Sequence, residues 1–394
     1  MTKERFAPFA LAVSVIGFIP FFMLIGYLRI PGEFCLPLLA VYALGAALLV
    51  MWLDGAAVKL RRWTTILGSI AVAALLVWGG VDAYIASIPT LDDRALTLYE
   101  YQPYAGEKTT QLPEKATLQF DQAQAESFTM DGATALYPVY ASFVQAIYPE
   151  GEYPWWDFRD EGIALCNGTT EAYERLIAGE TDVIFVAEPS KKQREAAAAA
   201  GLELHLTPIG RECFVFFVNS RNPVTGLTVK QVQGIYTGEI TNWSQVGGEN
   251  RAIRPYQRDE GSGSQTALQL VMAGLPLMEP ETHHVSDGMG TIIQEVASYK
   301  NYANAIGYTF RFYANEMVAN DQIRLLALNG VEPTKETIRD GSYPISSYFY
   351  AVTASPIGEA APEKTNAALK AFLDWCQGEQ GQWIVENVGY VSMK

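Results

Sequence analysis

The chain is poor in the residues that hold metals or staple small folds. Its 394 residues include only four cysteines and three histidines. Cys35, Cys166, Cys213 and Cys376 are scattered, with no C-x-x-C pair among them. Cys35 falls in a long apolar run, and the other three form an odd set in apolar surroundings. They read as buried thiols rather than a disulfide framework. His205 stands alone, and His283 and His284 are adjacent, a spacing at which side chains do not face one another on a helix. They read as surface histidines, not as a metal pair. Positive charge is also scarce: 28 basic against 43 acidic residues give a net charge of -15. That balance argues against nucleic acid as a partner. Two enzyme signatures are missing as well. No lysine precedes the last serine of Gly261-Ser262-Gly263-Ser264, as a Walker-type loop requires, and Ser262 has the wrong offset for a nucleophile elbow. With no Ser/His/Asp or Cys/His arrangement and no carboxylate cluster, the chain reads as a non-enzyme without cofactor or metal.

What the chain has in quantity is apolar sequence, 49% of it. Its length predicts two or three units. Phe6 to Leu28, Phe34 to Leu53 and Trp63 to Val81 carry no charge, and each is close to the about 20 residues that cross a bilayer. Three such runs are not a cleaved signal peptide. Lys3 and Arg5 precede the first run, and Lys59, Arg61 and Arg62 crowd the loop between the second and third. The positive-inside rule then puts the N-terminus in the cytoplasm and everything beyond about Ser87 outside. The expectation is a multi-pass cell-membrane protein with an extracytoplasmic body. Residues 1–94 hold 7 of the basic and 6 of the acidic residues, leaving 21 against 37 for the rest. An anion site on that body must work by local dipoles and hydrogen bonds.

Such a site is suggested by Arg258-Asp259-Glu260-Gly261-Ser262-Gly263-Ser264, which lies between an alternating run, 252–257, and a helical pattern, 267–272. A helix N-terminus presents unpartnered N–H groups and the positive end of its dipole. Glycine admits a ligand close to the backbone, serine adds hydroxyl donors, and Arg258 adds a planar fork suited to tetrahedral oxyanions. The same letters also suit an ordinary loop with Ser264 as its N-cap. Two further strand-to-helix turns follow the pattern. One is Met130 to Pro138, with Thr134 at the start of a helix through Val139, Phe143 and Ile147. The other is Gly162 to Glu171, where Thr169 or Thr170 opens a helix carrying Tyr173, Leu176 and Ile177. Ala116 to Phe120 and Val183 to Ala187 read as strands, the latter ending in Glu188. Residues 89–115 read as a polar stalk. The paired Trp155 and Trp156 read as half-buried packing rather than a docking patch.

These pieces, in this order, resemble the phosphate-binding proteins of bacterial phosphate ABC importers. Asp131-Gly132-Ala133-Thr134, Asn167-Gly168-Thr169-Thr170 and the loop from Arg258 to Ser264 resemble that family's three phosphate loops. Leu176 to Val183, Ile235 to Trp243, Asn304 to Tyr308 and Tyr343 to Ser346 are similar to other family segments. The resemblance implies an α/β, two-lobed type 2 periplasmic-binding-protein fold, here preceded by three transmembrane α-helices. It implies a three-span region over 1–88, a stalk over 89–115, lobe I from 116–208 plus 346–394, and lobe II with the crossovers over 209–345. It further implies inorganic phosphate as ligand, ABC permease and ATPase subunits as partners, and the lipid bilayer around the spans. Thr134, Ala135, Thr169, Arg258, Ser262, Gly263 and Ser264 are the implied contacts. Glu188 replaces the family's aspartate or Ser-Arg. An ionised carboxylate there would accept the proton of phosphate and repel sulfate. A membrane sensor of phosphate that transports nothing is the alternative; a phosphoester hydrolase is disfavoured for want of a nucleophile and base.

Overall fold

The computed structural model describes residues 98–157, 162–279, 285–286 and 304–393, with Ile66, Ile293 and Val296 besides. The three expected spans and His283-His284 lie outside the described residues. Among the described residues no helix is long and apolar enough to cross a membrane.

The strands are β1 Met130–Gly132, β2 Val183–Val186, β3 Leu202–Asn219, β4 Gly226–Leu227, β5 Arg254–Pro255, β6 Gln257–Arg258, β7 Val285–Ser286, β8 Ala305–Phe310, β9 Ile323–Leu325, β10 Ala327–Leu328 and β11 Ser346–Pro356. The helices are α1 Gln122–Ala125, α2 Tyr137–Ile147, α3 Thr169–Ala178, α4 Lys191–Ala199, α5 Val229–Tyr236, α6 Gly263–Met272, α7 Lys335–Arg339, α8 Ala367–Gln377 and α9 Glu379–Val388. A seven-stranded sheet runs β1-β2-β11-β3-β8-β5, with β9 also on β3. β1 is parallel to β2 and β5 to β8, whereas β11 and β3 are antiparallel to their neighbours.

The 18-residue β3 joins two halves of this sheet. Its first part pairs with β11, from Leu202 opposite Pro356 to Cys213 opposite Ser346, with a register shift between Phe349 and Tyr350. Its last part, Phe214 to Asn219, pairs with β8 and β9. The expected crossings, 209–212 and 343–345, thus sit side by side; Phe214 N donates to Ile345 O at 3.0 Å. The inner strands are apolar on both faces, as strands covered by helices on either side must be. Val183 to Val186 and Cys213 to Val218 are all buried. On the first half, Phe372 of α8 meets Phe128, Phe143, Tyr148 and Phe185 at centroid separations of 5.4–6.3 Å. On the second, α6 packs on α5 and β8. Trp243, just beyond α5, is buried and donates from Nε1 to Asn304 O at 3.0 Å. The run from Ile235 to Trp243 therefore anchors the second half.

Two expectations change. Residues 98–115 do not stand off as a stalk. Leu98 and Tyr101 are buried, the Tyr104 hydroxyl donates to Tyr148 O at 2.7 Å, and Thr110 N donates to Ser142 Oγ of α2 at 3.0 Å. Leu98, Tyr101 and Tyr104 recur every third residue, an apolar stripe hidden in a polar stretch. Ala116 to Phe120 forms no strand. Its polar groups are met by a side chain and a helix end instead: Thr117 N donates to Gln380 Oε1 at 2.8 Å and Phe120 N to Ile147 O of α2 at 2.9 Å. The cysteines agree with the reading: Cys166, Cys213 and Cys376 are buried thiols, not disulfides. Trp155 is half-buried against the core, while Trp156 is exposed.

Candidate functional site

Three backbone turns meet where the halves of the sheet join. The first follows β1. The chain leaves Gly132, and Thr134–Leu136 forms one 3-10 turn that continues as α2, whose early Pro138 needs no N–H partner in the first helical turn. The second is the start of α3. Its N-cap is Gly168 at φ 90°, ψ 167°, backbone open essentially to glycine alone. No side chain caps this end, so the first amides of α3 face outward from Thr169. The third is the start of α6. Here Ser262, not Ser264, is the N-cap, and its Oγ accepts from Gln265 N at 3.2 Å. Ser264 therefore lies in the first turn of the helix. It is fully buried, and its Oγ has no hydrogen-bond partner among the described residues.

Asp131 ties the first two turns together. Its Oδ1 accepts from Gly132 N at 2.7 Å and from Asn167 N at 2.8 Å, and its Oδ2 accepts from Asn167 Nδ2 at 2.8 Å. Arg175 of α3 lies 3.2 Å from Oδ2. Gly168 N adds a bond to Gly132 O at 3.0 Å. Burial pushes the Asp131 carboxyl above its usual value; the Asn167 and Gly132 bonds and Arg175 pull it back. The second and third turns touch directly. A Cβ placed on Gly263 would lie 3.0 Å from Thr169 Oγ1, and one on Gly261 3.4 Å from Thr170 Oγ1. Gln193 of α4 also reaches across, its Nε2 3.4 Å from Gly261 O.

A cavity at this junction is lined by Ala135 and Thr169 from the first half, Phe310 from the second, and Glu212, Tyr348 and Phe349 from the crossings. Tyr390 closes one side: its hydroxyl donates to Ala135 O, and its ring stacks on Phe312 at 4.3 Å. Thr134, Ala135, Thr169, Ser262, Gly263 and Ser264 are thus brought to one region by three helix ends. Arg258 stands on β6 ahead of the third turn, its N–H held by Tyr308 Oη at 2.8 Å and Gln265 Oε1 at 3.0 Å. Glu188 is not brought into the cavity. It is exposed beyond β2 and paired with Arg194 Nη2 at 2.9 Å.

Sequence reading missed Asp131 as the clamp and Glu212 as cavity lining. Asp131 was legible only as part of a loop motif. Glu212 sits in an unbroken strand, where nothing local separates a buried carboxylate from a solvated one. Among the described residues no group of His, Cys, Asp or Glu is placed to hold a metal ion.

This arrangement can bind an anion by dipoles, amides and hydroxyls. Known proteins similar to this chain bear names that concern phosphate. The protein named phosphate-binding protein PstS in Borreliella burgdorferi is 27% identical over 194 residues, covering 48% of this chain and 66% of that protein. Its namesake in Bacillus subtilis is 25% identical over 272 residues, covering 68% of this chain and 81% of that one. A crystal structure described as a putative phosphate ABC transporter substrate-binding protein with bound phosphate, from Clostridium perfringens, aligns with a TM-score of 0.52 and 25% identity. It covers 68% of this chain and 99% of that one. The sequence profile described as the PBP superfamily domain matches residues 119–380. With that match spanning well over half of the chain, and with the mixed sheet and crossing strands that carry it, the protein belongs to the PBP superfamily.

Proposed function

We propose that the body captures inorganic phosphate between two lobes, 116–208 plus 346–394 and 209–345, as the extracytoplasmic receptor of an ABC importer. Three N-terminal spans over 1–88 anchor it, and permease and ATPase subunits are its partners. The observation that carries the reading is the meeting of the α3 and α6 N-termini, Thr169 against Gly263, beside the Thr134 turn. Desolvating a dianion is costly unless its oxygens are hydrogen-bonded. Amides of three helix ends, the hydroxyls of Thr134, Thr169, Ser262 and Ser264, and the Arg258 fork offer about a dozen donors. The buried Ser264 Oγ fits a donor directed at a ligand. The names of the relatives and the phosphate in the Clostridium structure support the choice of anion.

The test is a calorimetric titration of the whole chain in detergent against phosphate, sulfate, arsenate and molybdate. Phosphate is expected to bind tightest. Arg258→Ala is expected to lose ~2 kcal/mol, about 30-fold, because charge-assisted hydrogen bonds are the strong ones. Absence of phosphate binding would end the proposal; unchanged affinity in the variant would remove Arg258 from it. The three charge-free runs favour one second reading, a membrane sensor that transports nothing. Co-purification of a permease and an ATPase with the chain separates the two.

A further inference from the structure

The third turn hangs on two buried side chains that lie outside the implied contacts, Gln265 and Tyr308. Tyr308 stands on β8, opposite Phe216 of β3, and is 1% exposed. Its ring sits among Phe214, Phe216 and Tyr236 at centroid separations of 5.3–6.2 Å. Its hydroxyl accepts from Arg258 N at 2.8 Å and donates to Gln265 Oε1. The same Oε1 accepts from Arg258 N at 3.0 Å. Gln265 is buried in the first turn of α6, and its other polar atoms are engaged as well. Its N–H donates to Ser262 Oγ at 3.2 Å, and its Nε2 lies 3.4 Å from Gln257 Oε1. Gln257 is fixed in turn by a bond from its Nε2 to Met278 O at 2.9 Å. Both ends of the turn, Arg258 and Ser262, are thus held by one glutamine. Asp259 and Glu260 between them are exposed, so packing does not fix its path. Burial pushes the Tyr308 hydroxyl up, although the bond from Arg258 N pulls the other way, so it remains a donor to Gln265 at neutral pH.

We propose that Tyr308 and Gln265 are positioning residues for the anion site: they touch no ligand and act by fixing the backbone from which Arg258 presents its fork. The inference rests on the phosphate reading above and deepens it. A fork that must find its place when the ligand arrives gives up freedom on binding, whereas one already placed has given it up on folding. Tyr308 joins that placement to the sheet, since β8 pairs with β3 directly beyond the crossing. Tyr236 of α5 is the natural control. It is fully buried against the same rings, but among the described residues its hydroxyl has no hydrogen-bond partner and makes no bond to the turn.

The experiment is a double-mutant cycle on phosphate affinity, by calorimetry of the whole chain in detergent. Tyr308→Phe keeps the ring and removes the hydroxyl, and is expected to weaken phosphate binding by about 5- to 10-fold, the size of one hydrogen bond. In the Arg258→Ala background the same change is expected to cost less than about 2-fold, because the group it places is gone; independent sites would add in full. Gln265→Met removes the other acceptor of Arg258 N. It is expected to give the same pair of results, and it decides the matter if Tyr308→Phe does not fold. Tyr236→Phe is expected to leave phosphate affinity unchanged. Wild-type affinity in Tyr308→Phe overturns the proposal, as does a loss that repeats in full without the Arg258 side chain, or an equal loss in Tyr236→Phe. If the wild-type chain itself fails to bind phosphate, the functional reading falls first, so the two failures are distinguishable.

Discussion

A buried carboxylate with no close counter-charge leans toward its protonated form, and folding then feels the pH. Glu212 is pushed from 4.5 up to about 7 by burial. Between those values the folded chain binds this proton and the unfolded chain does not. The group's contribution to stability is therefore complete below the unfolded value and is lost as the pH rises through the folded one. A shift of that size corresponds to ~3.4 kcal/mol in all, of which ~2.5 kcal/mol is lost between ~pH 5 and ~pH 8. In denaturant unfolding, Glu212→Gln is expected to gain on the wild type by about that amount between ~pH 5 and ~pH 8. Parallel pH profiles would mean that Glu212 ionises as readily folded as unfolded. Asp131 is common to both proteins and cancels in the comparison. At this scale, sequence reading finds residues whose role is local. Thr134 and Thr169 announce helix starts, and Ser262 and Ser264 flank a glycine. It offered Ser264 as a cap only in the plain-loop alternative; the hydrogen bond from Gln265 N to Ser262 gives the cap to Ser262. Glu212 and Glu188 swap environments, one buried and one solvated, through contacts that are distant in sequence.

At the scale of elements, the approach of the α3 start to the α6 start is set by glycine. The α3 N-cap, Gly168, occupies backbone that costs a side-chain-bearing residue of order 1–3 kcal/mol. Gly263 is needed for a different reason. Its helical backbone tolerates any residue, but a methyl there would press on Thr169 Oγ1 at 3.0 Å. Gly263→Ala is therefore expected to fold normally by circular dichroism yet to bind phosphate ~10-fold more weakly, a loss of ~1.4 kcal/mol. Wild-type affinity in that variant would show that the two tips have room to spare around the ligand. The helices α2, α3 and α6 were legible because each combines a hydroxylated start with apolar residues at helical spacing. Residues 116–120 were not. Their alternation is that of a strand, but the neighbour they meet is a helix end, with Gln380 satisfying their backbone. Pattern reports which residues want burial, not what will cover them.

At the scale of the whole body, a ligand held between two lobes stabilises both. At about 100 times its dissociation constant, phosphate adds ~2.7 kcal/mol. For a domain of this size that is expected to raise Tm by about 5 °C in a thermal scan of the chain in detergent. Sulfate at the same concentration and neutral pH should do less. No shift with phosphate would argue that it does not bind the folded body. The division into two lobes was an expectation drawn only from the family resemblance. The crossing strands look like any apolar strand, since what marks them is pairing with one partner early and others late, and a one-dimensional pattern carries no trace of that.

Those crossings constrain how such a body can open. Residues 210–213 and 346–349 are not slack tethers: they pair with each other in one ladder, whose register shifts between Phe349 and Tyr350, where Ile209 is skipped. A jaw mounted on a paired ribbon cannot swing freely without breaking rungs. It flexes by twisting, like a leaf spring whose set is fixed at one kink. A wide opening of such a spring would break rungs of the β3–β11 ladder.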